Sequence, residues 1–377
     1  MVKEEEISCE SGRSLQMVAH FFTGFPGFIA SQLIREVFRK NHTDQVYVLV
    51  LQTELKKAQR EAMRIMETFP GRHIELIEGD ITLPNLGIDQ QSINRILPQI
   101  SMLWHLAAIY DLAVPREIAW KVNVLGTSMV NDFVKTLPNL SRYLYFSTAY
   151  VAGNRKGRIL ETELIRPEKF KNYYEETKFE AEILVEKLKT EIPITIIRPG
   201  IVRGHTLTGE TIKFDGPYFF LNMIERLKDL PFIPYIGDKV TTINVVPVDF
   251  IIQSSVFISS EPSAIGKTLH LTDPFPHPVQ EVFRMMVLEM TGKLPKGKFP
   301  LSFVKWLLQN KLIRQKLGVE KEALDYLTWN AQFDCREAQL ILKKGNIRCS
   351  DFMSSIPAMV RFYRVNKNNK QLQVEIK

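Results

Sequence analysis

The amino-acid sequence predicts an α/β protein built on a doubly wound parallel sheet, followed by a smaller, mainly helical C-terminal part. Two observations support this fold class. Six short apolar runs alternate with helical segments over the first 200 residues, as in parallel strands joined by right-handed crossovers. After Gly200 this rhythm breaks, and loops rich in glycine and proline appear at 204–216 and 230–237.

The composition is typical of a globular protein with a large core. The 377 residues are 45% hydrophobic and 24% charged, enough for one large domain and a smaller one. Cys9, Cys335 and Cys349 are far apart and form no CxxC pair, so neither a disulfide scaffold nor a zinc site is indicated. We therefore expect a reducing, cytoplasmic environment.

The N-terminus and the charge balance restrict the location and the partners. Residues 1–6 are charged where a signal peptide would be apolar, and no segment resembles a membrane span, so we expect neither export nor insertion into a membrane. The net charge of +7 favours anionic partners. No recognised nucleic-acid module accompanies this charge, so nucleic acid is not expected.

The first predicted strand, 15–22, leads through a glycine-rich turn into an amphipathic helix at 29–39. Such a turn lets the backbone approach a pyrophosphate, which the helix N-terminus then stabilises. Alanine stands where a third glycine would ease the packing of helix against strand. The glycine turn consists of Thr23, Gly24, Phe25, Pro26, Gly27, Phe28, Ile29 and Ala30.

The remaining elements follow from apolar runs and helical periodicity. Further strands are predicted at 46–51, 73–77, 100–106, 143–146 and 192–197, with a later strand near 243–248; helices are predicted at 54–66, around 123–127 and at 173–190. Residues 14–200, completed by strands within 240–275, are predicted to bind a nucleotide. A polar tail is predicted at 1–13, and substrate-binding parts at 201–239 and 276–377.

Small and hydroxyl residues follow several of these strands. Ligands of doubly wound sheets bind beyond the carboxyl ends of the strands, so we expect the glycine turn to converge there with Ala107, Ala108, Ser147, Thr148, Pro199 and Gly200. His20, His105 and His205 lack metal-ligand spacing. We interpret these histidines as structural and predict no metal site.

The residues after the second strand bear on the choice between NADPH and NADH. An acidic residue there would bind the ribose hydroxyls, whereas a basic one would bind the 2′-phosphate. Leu51 occupies the strand end, and Lys56, Lys57 and Arg60 follow within reach of a phosphate. This pattern favours NADPH, while the nearby Glu54 leaves NADH open.

Tyr174 and Lys178 form a phenol and ammonium pair on one face of the helix predicted at 173–190, because they are four residues apart. The ammonium is expected to lower the pKa of the phenol and to bind the nicotinamide ribose. Thr148, or alternatively Ser147, would donate a hydrogen bond to a carbonyl oxygen that gains charge. Tyr173 competes for the tyrosine role but points about 100° away.

These motifs resemble the extended short-chain dehydrogenase/reductase family. The similarity covers about the first 205 residues and is strongest to the thioester reductase and fatty acyl-CoA reductase branch, which has a male-sterility-type NAD(P)-binding domain. It rests on the glycine turn, Asp80 and Ile81 after the third strand, Leu106, Ala107 and Ala108, the segment beginning at Asn123, Ser147 and Thr148, Tyr174 and Lys178, and Arg198, Pro199 and Gly200.

The resemblance implies hydride transfer from NADPH to an acyl thioester on coenzyme A or a carrier protein, giving an aldehyde and, after a second reduction, an alcohol. Thr148 and Tyr174 would bind the oxyanion, and Lys178 the ribose. The implied cofactor set adds Asp80, Ile81, Leu106, Ile201 and Val202 to the glycine turn and the strand ends. Leu51 departs from the branch, which commonly has arginine there.

Two other functions remain compatible with the sequence. The first is an epimerase, dehydratase or hydroxysteroid or sugar-nucleotide dehydrogenase of the extended family, and the second is a non-catalytic nucleotide sensor. The segment 293–321 is basic and apolar, so it either meets a carrier protein or membrane surface or packs on the core with a solvated basic edge. Because no carrier or adenylation domain precedes the glycine turn, we expect a free-standing enzyme.

Overall fold

A computed structural model describes residues 18–111, 114–236, 240–298, 304, 306–319, 326 and 329–374. The predicted polar tail, 1–13, and the first residues of the predicted strand at 15–22 lie outside these ranges. So do Lys305 and Lys321 of the basic segment. All structural statements below concern the described residues.

The central layer is a parallel sheet. The strands, numbered in chain order, are β1 (Ala19–Thr23), β2 (Gln45–Val50), β3 (His73–Glu78), β4 (Ile100–His105), β5 (Arg142–Phe146), β6 (Gly157–Ile159), β7 (Ile194–Pro199), β8 (Ile201–Arg203), β9 (Val245–Pro247), β10 (Thr268–Leu271) and β11 (Ala331–Phe333). Seven of them pair in the order β3-β2-β1-β4-β5-β7-β10. The order reverses between β1 and β4, where doubly wound sheets bind their ligands.

Helices cover both faces of this sheet. They are α1 (Phe28–Arg39), α2 (Leu55–Thr68), α3 (Gln90–Ile96), α4 (Arg116–Ala119), α5 (Gly126–Lys135), α6 (Tyr173–Glu186), α7 (Tyr218–Leu227), α8 (Val248–Ser260), α9 (Val279–Thr291), α10 (Lys311–Leu317), α11 (Arg336–Lys344) and α12 (Phe352–Asn366). A π-helical turn at Trp120–Leu125 joins α4 to α5.

Side-chain alternation along the strands builds two cores. In β2, Val46, Val48 and Val50 pack with α1, α2 and α8 on one face, whereas Tyr47 and Leu49 pack with α3, α5 and α6 on the other. Successive strand residues point to opposite faces, and a parallel sheet covered on both sides needs apolar residues on both. The sheet is therefore fixed between two helical layers.

A third core lies in the C-terminal part, where α7, α9 and α12 pack together around buried aromatic and aliphatic side chains. The strand predicted near 243–248 is β9, which pairs with β8 outside the main sheet, while β10 adds the seventh strand. In the described part of the chain, no helix combines the length and apolarity needed to cross a bilayer.

Sequence and structure agree on the α/β class and on the six N-terminal strands, whose ends shift by a few residues. The prediction for the helix at 173–190 was too long, because α6 ends at Glu186 and turns lead from there into β7. The following backbone N–H groups of Lys187 and Leu188 bond to carbonyls of that last helical turn.

Candidate active site

The glycine turn brings the backbone of β1 against the backbone that follows β4. Gly24 has a φ of +87°, and a Cβ there would lie 2.9 Å from the Ala107 nitrogen. A Cβ on Gly27 would lie 2.6 Å from the Gly24 oxygen. Both positions therefore require glycine, for conformation at Gly24 and for space at both.

Helix α1 begins within this turn, at Phe28, without a side-chain cap, since Gly27 is its N-cap residue. The first N–H groups of a helix have no intrahelical acceptors, and the helix dipole favours an anion near them. The turn and the helix N-terminus thus fit a pyrophosphate. Ala30 is buried at the start of α1.

Thr23, at the end of β1, forms hydrogen bonds to the backbone that follows β4. Its Oγ1 accepts hydrogen bonds from the backbone nitrogens of Leu106 and Ala107, each at 3.1 Å, and lies 2.8 Å from His105 Nδ1. The loop after β4 is thereby held beside the glycine turn. After β3, Asp80 Oδ1 accepts from the Thr82 nitrogen at 2.8 Å.

All the predicted catalytic and cofactor residues line one cavity of about 1450 Å³. They come from the glycine turn and from the ends of β3, β4, β5 and β7, together with α6. The set is Thr23, Gly24, Phe25, Pro26, Gly27, Phe28, Ile29, Asp80, Ile81, Leu106, Ala107, Ala108, Ser147, Thr148, Tyr174, Lys178, Pro199, Gly200, Ile201 and Val202.

Ser147 and Thr148 differ in their hydroxyl partners. Ser147 Oγ donates a hydrogen bond to the Glu182 carboxylate. The same carboxylate accepts a hydrogen bond from Arg198 Nε at 2.9 Å. Thr148 Oγ1 instead accepts from the Tyr150 nitrogen at 3.3 Å, which leaves its own proton available, and this hydroxyl lies near the Tyr174 phenol. This arrangement favours Thr148 over Ser147 as the hydroxyl that faces a ligand in the cavity.

The competing tyrosines are also separated by the fold. Tyr173 is 46% exposed and is not among the residues of the cavity wall, whereas Tyr174 lines the cavity. Asn172 Oδ1 caps α6 by accepting from the Glu175 nitrogen at 2.9 Å, which fixes the first turn of the helix. The phenol that faces the cavity is therefore that of Tyr174.

The hydrogen-bond partners of Lys178 lie on β5, which its spacing from Tyr174 did not predict. Its Nζ donates to Tyr145 OH at 2.9 Å and to the Phe146 oxygen at 2.6 Å. Burial lowers the pKa of Lys178 to about 7, although Glu182 acts in the opposite direction. The ammonium is thus held against the end of β5.

The expectation that Lys178 brings the pKa of Tyr174 below its usual value was wrong. Burial raises the pKa of Tyr174 to about 12, and the hydrogen bond with Thr148 only partly offsets this effect. Desolvation disfavours the phenolate, so the phenol stays protonated at neutral pH.

Sequence reasoning missed the apolar half of the cavity. Beyond β8, its wall consists mainly of aliphatic and aromatic side chains that are distant in sequence and have no motif spacing. This apolar chamber is lined by Phe219, Phe220, Met223, Ile236, Ile243, Val304, Leu308, Leu317, Val319 and Val374.

The basic segment contains the short helix α10, whose two sides differ. Ile313 and Leu317 pack on the C-terminal core, and Arg314 is buried, donating to the backbone oxygens of Leu308 and Gln309. Lys311 and Lys316 are exposed. Among the described residues, no group of three or more histidine, cysteine, aspartate or glutamate side chains could hold a metal ion.

The model of the male sterility protein family, an NAD-binding family, matches residues 22–255, more than half of the chain. The chain belongs to this family. The match confirms the resemblance to the thioester reductase branch of the extended short-chain dehydrogenases/reductases. It also confirms, at the level of the family, the predicted NAD(P)-dependent oxidoreductase class and a nicotinamide cofactor.

Curated relatives of this male sterility family member are similar at low identity. The non-canonical nonribosomal peptide synthetase cpsA of Aspergillus campestris is 24% identical over 306 residues, which cover 76% of this chain and 29% of the relative. The fatty acyl-CoA reductase wat of Drosophila melanogaster is 25% identical over 273 residues, covering 62% and 52%. The chain thus spans about a third to a half of these relatives.

Solved structures share the fold. The terminal R domain of the myxalamid PKS-NRPS pathway has a TM-score of 0.78 at 23% identity, covering 94% of this chain and 92% of that one. A UDP-glucuronic acid 4-epimerase from Bacillus cereus, in complex with NAD, has a TM-score of 0.63 at 19% identity, covering 94% and 99%. At these identities the likeness concerns the fold alone.

Proposed function

We propose that this family member is an NADPH-dependent reductase of acyl thioesters, carried by coenzyme A or a carrier protein, that releases an aldehyde and, after a second reduction, an alcohol. The main support is one continuous cavity. Its nucleotide end carries the glycine turn, its centre carries Thr148, Tyr174 and Lys178, and its far end is the apolar chamber. An apolar chamber suits an acyl chain better than a sugar.

When bound, the nicotinamide supplies a hydride to the thioester carbonyl carbon. Thr148 and Tyr174 donate hydrogen bonds to the carbonyl oxygen as it gains negative charge. Tyr174 then gives its proton to this oxygen, a role for which a protonated phenol is the required form. Collapse of the resulting hemithioacetal then returns the hydroxyl proton to the Tyr174 phenolate and breaks the C–S bond, which leaves the aldehyde and a thiolate that takes up a proton from solvent. Lys178 holds the nicotinamide ribose.

The preference for NADPH rests on Lys57. This lysine lines the nucleotide end of the cavity together with Leu51 and Glu54, and its Nζ lies 3.3 Å from Glu54 Oε2. Lys56 and Arg60, the other basic candidates, are not part of the cavity wall. An exposed pair of this kind is weak, so Lys57 is free to bind a 2′-phosphate.

Lys57→Glu should weaken NADPH binding by about tenfold, because a charge-assisted hydrogen bond is replaced by repulsion. NADH binding should change little. Fluorescence titration of both nucleotides measures the effect, and Lys56→Glu is the matched control with the same charge change. Equal losses in the two variants would contradict the assignment of Lys57.

The activity itself is tested by mixing the protein with NADPH and a panel of acyl thioesters of different chain length. We expect loss of reduced nicotinamide absorbance together with release of free thiol and aldehyde. Turnover of a sugar nucleotide instead would favour an epimerase or dehydrogenase of the extended family. Nucleotide binding with no turnover of any substrate would favour a sensor.

A further inference from the structure

A buried chain of hydrogen bonds and close hydroxyl contacts leads from the glycine turn to Lys178 through His105, Thr127 and Tyr145, for which no catalytic role was predicted. It runs from Thr23 to His105 Nδ1 at 2.8 Å, and from His105 Nε2 to Thr127 Oγ1 at 3.1 Å. The Thr127 hydroxyl lies near that of Tyr145, and the Tyr145 hydroxyl accepts a hydrogen bond from Lys178 Nζ at 2.9 Å. All five side chains are buried.

The partners fix the direction of these hydrogen bonds. Because Thr23 Oγ1 already accepts two backbone N–H groups, its own proton goes to Nδ1 of His105. Nε2 then carries the imidazole proton and donates it to Thr127. Burial, and next the charge of Lys178, lower the pKa of His105 to about 3, so this histidine is neutral.

Tyr145 stands at the Lys178 end of this chain. Thr127 donates its proton to the Asn123 oxygen at 2.6 Å, so its Oγ1 can act towards the neighbouring Tyr145 hydroxyl only as an acceptor. The phenol oxygen of Tyr145 is then free to face Lys178, whose Nζ lies 4.4 Å from the centre of the tyrosine ring. The phenol supplies both an acceptor and a ring face to the ammonium.

We propose that Tyr145 is a positioning residue of this active site, which holds the Lys178 ammonium at the end of β5 in its charged form. The inference rests on the proposed function only in assigning Lys178 to the nucleotide. Tyr145 itself is buried in β5 and is not part of the cavity wall. It acts through Lys178, without contacting the substrate.

The charges around Lys178 make its protonation depend on Tyr145. Glu182, on the same helix, favours the ammonium, whereas burial disfavours it; His105 and Tyr174 are neutral, and Arg198 is paired with Glu182. A lysine with a lowered pKa is charged below that pKa and loses its charge as the pH rises through it. Removing the Tyr145 acceptor should therefore lower the pH at which the charge is lost.

The test measures NADPH affinity by fluorescence titration across a pH series from about 5 to about 9. We expect affinity to fall on the alkaline side, and Tyr145→Phe to move the midpoint down by about one pH unit, since it removes a hydrogen bond to a charged group. Tyr143→Phe is the matched control, because Tyr143 is equally buried on β5 but bonds to Asn131. Its midpoint should match that of the unmodified protein.

Thermal unfolding checks that each variant folds, and Thr127→Val serves as a second variant that removes the hydroxyl beside that of Tyr145. It should shift the midpoint in the same direction by a smaller amount. Identical midpoints for Tyr145→Phe and the unmodified protein would overturn the proposal, and so would an equal shift in Tyr143→Phe. A shift without any thioester turnover would leave this inference standing and remove the proposed function.

Discussion

Thr148 and Ser147 are adjacent hydroxyls with different tasks. Ser147 is engaged by Glu182, whereas Thr148 faces Tyr174. Thr148→Val should therefore lower kcat by about a hundredfold, as expected for loss of one donor to a developing oxyanion. Ser147→Ala, the control, should lower it much less. Steady-state rates with a thioester measure both, and a larger loss in Ser147→Ala would reverse the assignment.

Tyr174 is the proposed proton donor, so Tyr174→Phe should lower kcat by two or more orders of magnitude. NADPH affinity should be retained, because Lys178 and the glycine turn are unchanged. Tyr173→Phe, which removes a hydroxyl outside the cavity, provides the control. A near-normal rate for Tyr174→Phe would mean that the proton comes from another group.

Tyr174 and Lys178 both line the cavity, as expected from a helix that places residues four apart on one side. The sequence could not predict that Lys178 bonds to Tyr145, since this partner lies on β5, 33 residues earlier. The sequence also did not predict the burial of Tyr174, which raises its pKa instead of lowering it. The spacing of residues along a helix thus predicts which side chains share a face. Their hydrogen-bond partners and their desolvation depend on residues that only folding brings close.

At the glycine turn, the effect of backbone conformation on stability can be separated from the effect of steric crowding. Gly24→Ala and Gly71→Ala both place alanine at a positive φ, +87° and +83°, but only the first meets neighbouring atoms. Gly71→Ala should lower the free energy of unfolding by about 1 kcal/mol through strain alone. Gly24→Ala should cost more and weaken nucleotide binding.

Chemical denaturation and nucleotide titration of the two glycine variants measure these effects. Equal losses of stability, with unchanged nucleotide affinity in Gly24→Ala, would show that the close contact with Ala107 is unimportant. The sequence predicted this turn because its strand, glycines and helix are contiguous. The residues of the apolar chamber escaped prediction because they come from α7, α10 and connecting segments in distant parts of the chain.

Three histidines influence the stability of the whole molecule. Burial lowers the pKa values of His20, His105 and His270 to about 3. The unfolded chain binds protons at these groups more readily, so their contribution to stability is full above about pH 6.5 and is lost as the pH falls towards about 3. Acid should therefore destabilise the fold.

His20→Leu should reduce this acid dependence by up to about 1.4 kcal/mol per pH unit, even though Trp104 Nε1 loses its acceptor. Denaturation at a series of pH values gives the slope. His73→Leu removes a histidine that is exposed in β3 and should leave the slope unchanged. An unaltered slope in His20→Leu would contradict the assignment to buried histidines.

At the scale of the whole chain, the alternation of apolar runs and helices was enough to predict the parallel sheet, since crossover rules leave few arrangements. The pairing of β8 with β9 and the C-terminal core were not predictable, because short strands and helices there carry no repeating pattern. The composition of the basic segment could not predict that Arg314 is buried, where it donates a hydrogen bond to the Leu308 oxygen.

We propose that one cavity brings a nicotinamide and an acyl thioester together for hydride transfer. It is tested most directly with NADPH that carries deuterium at the transferable position of its nicotinamide ring, an acyl thioester, and mass spectrometry of the product. We expect an aldehyde with deuterium on its carbonyl carbon, and almost none from Tyr174→Phe. An undeuterated aldehyde, or unconsumed thioester with NADPH bound, would contradict it.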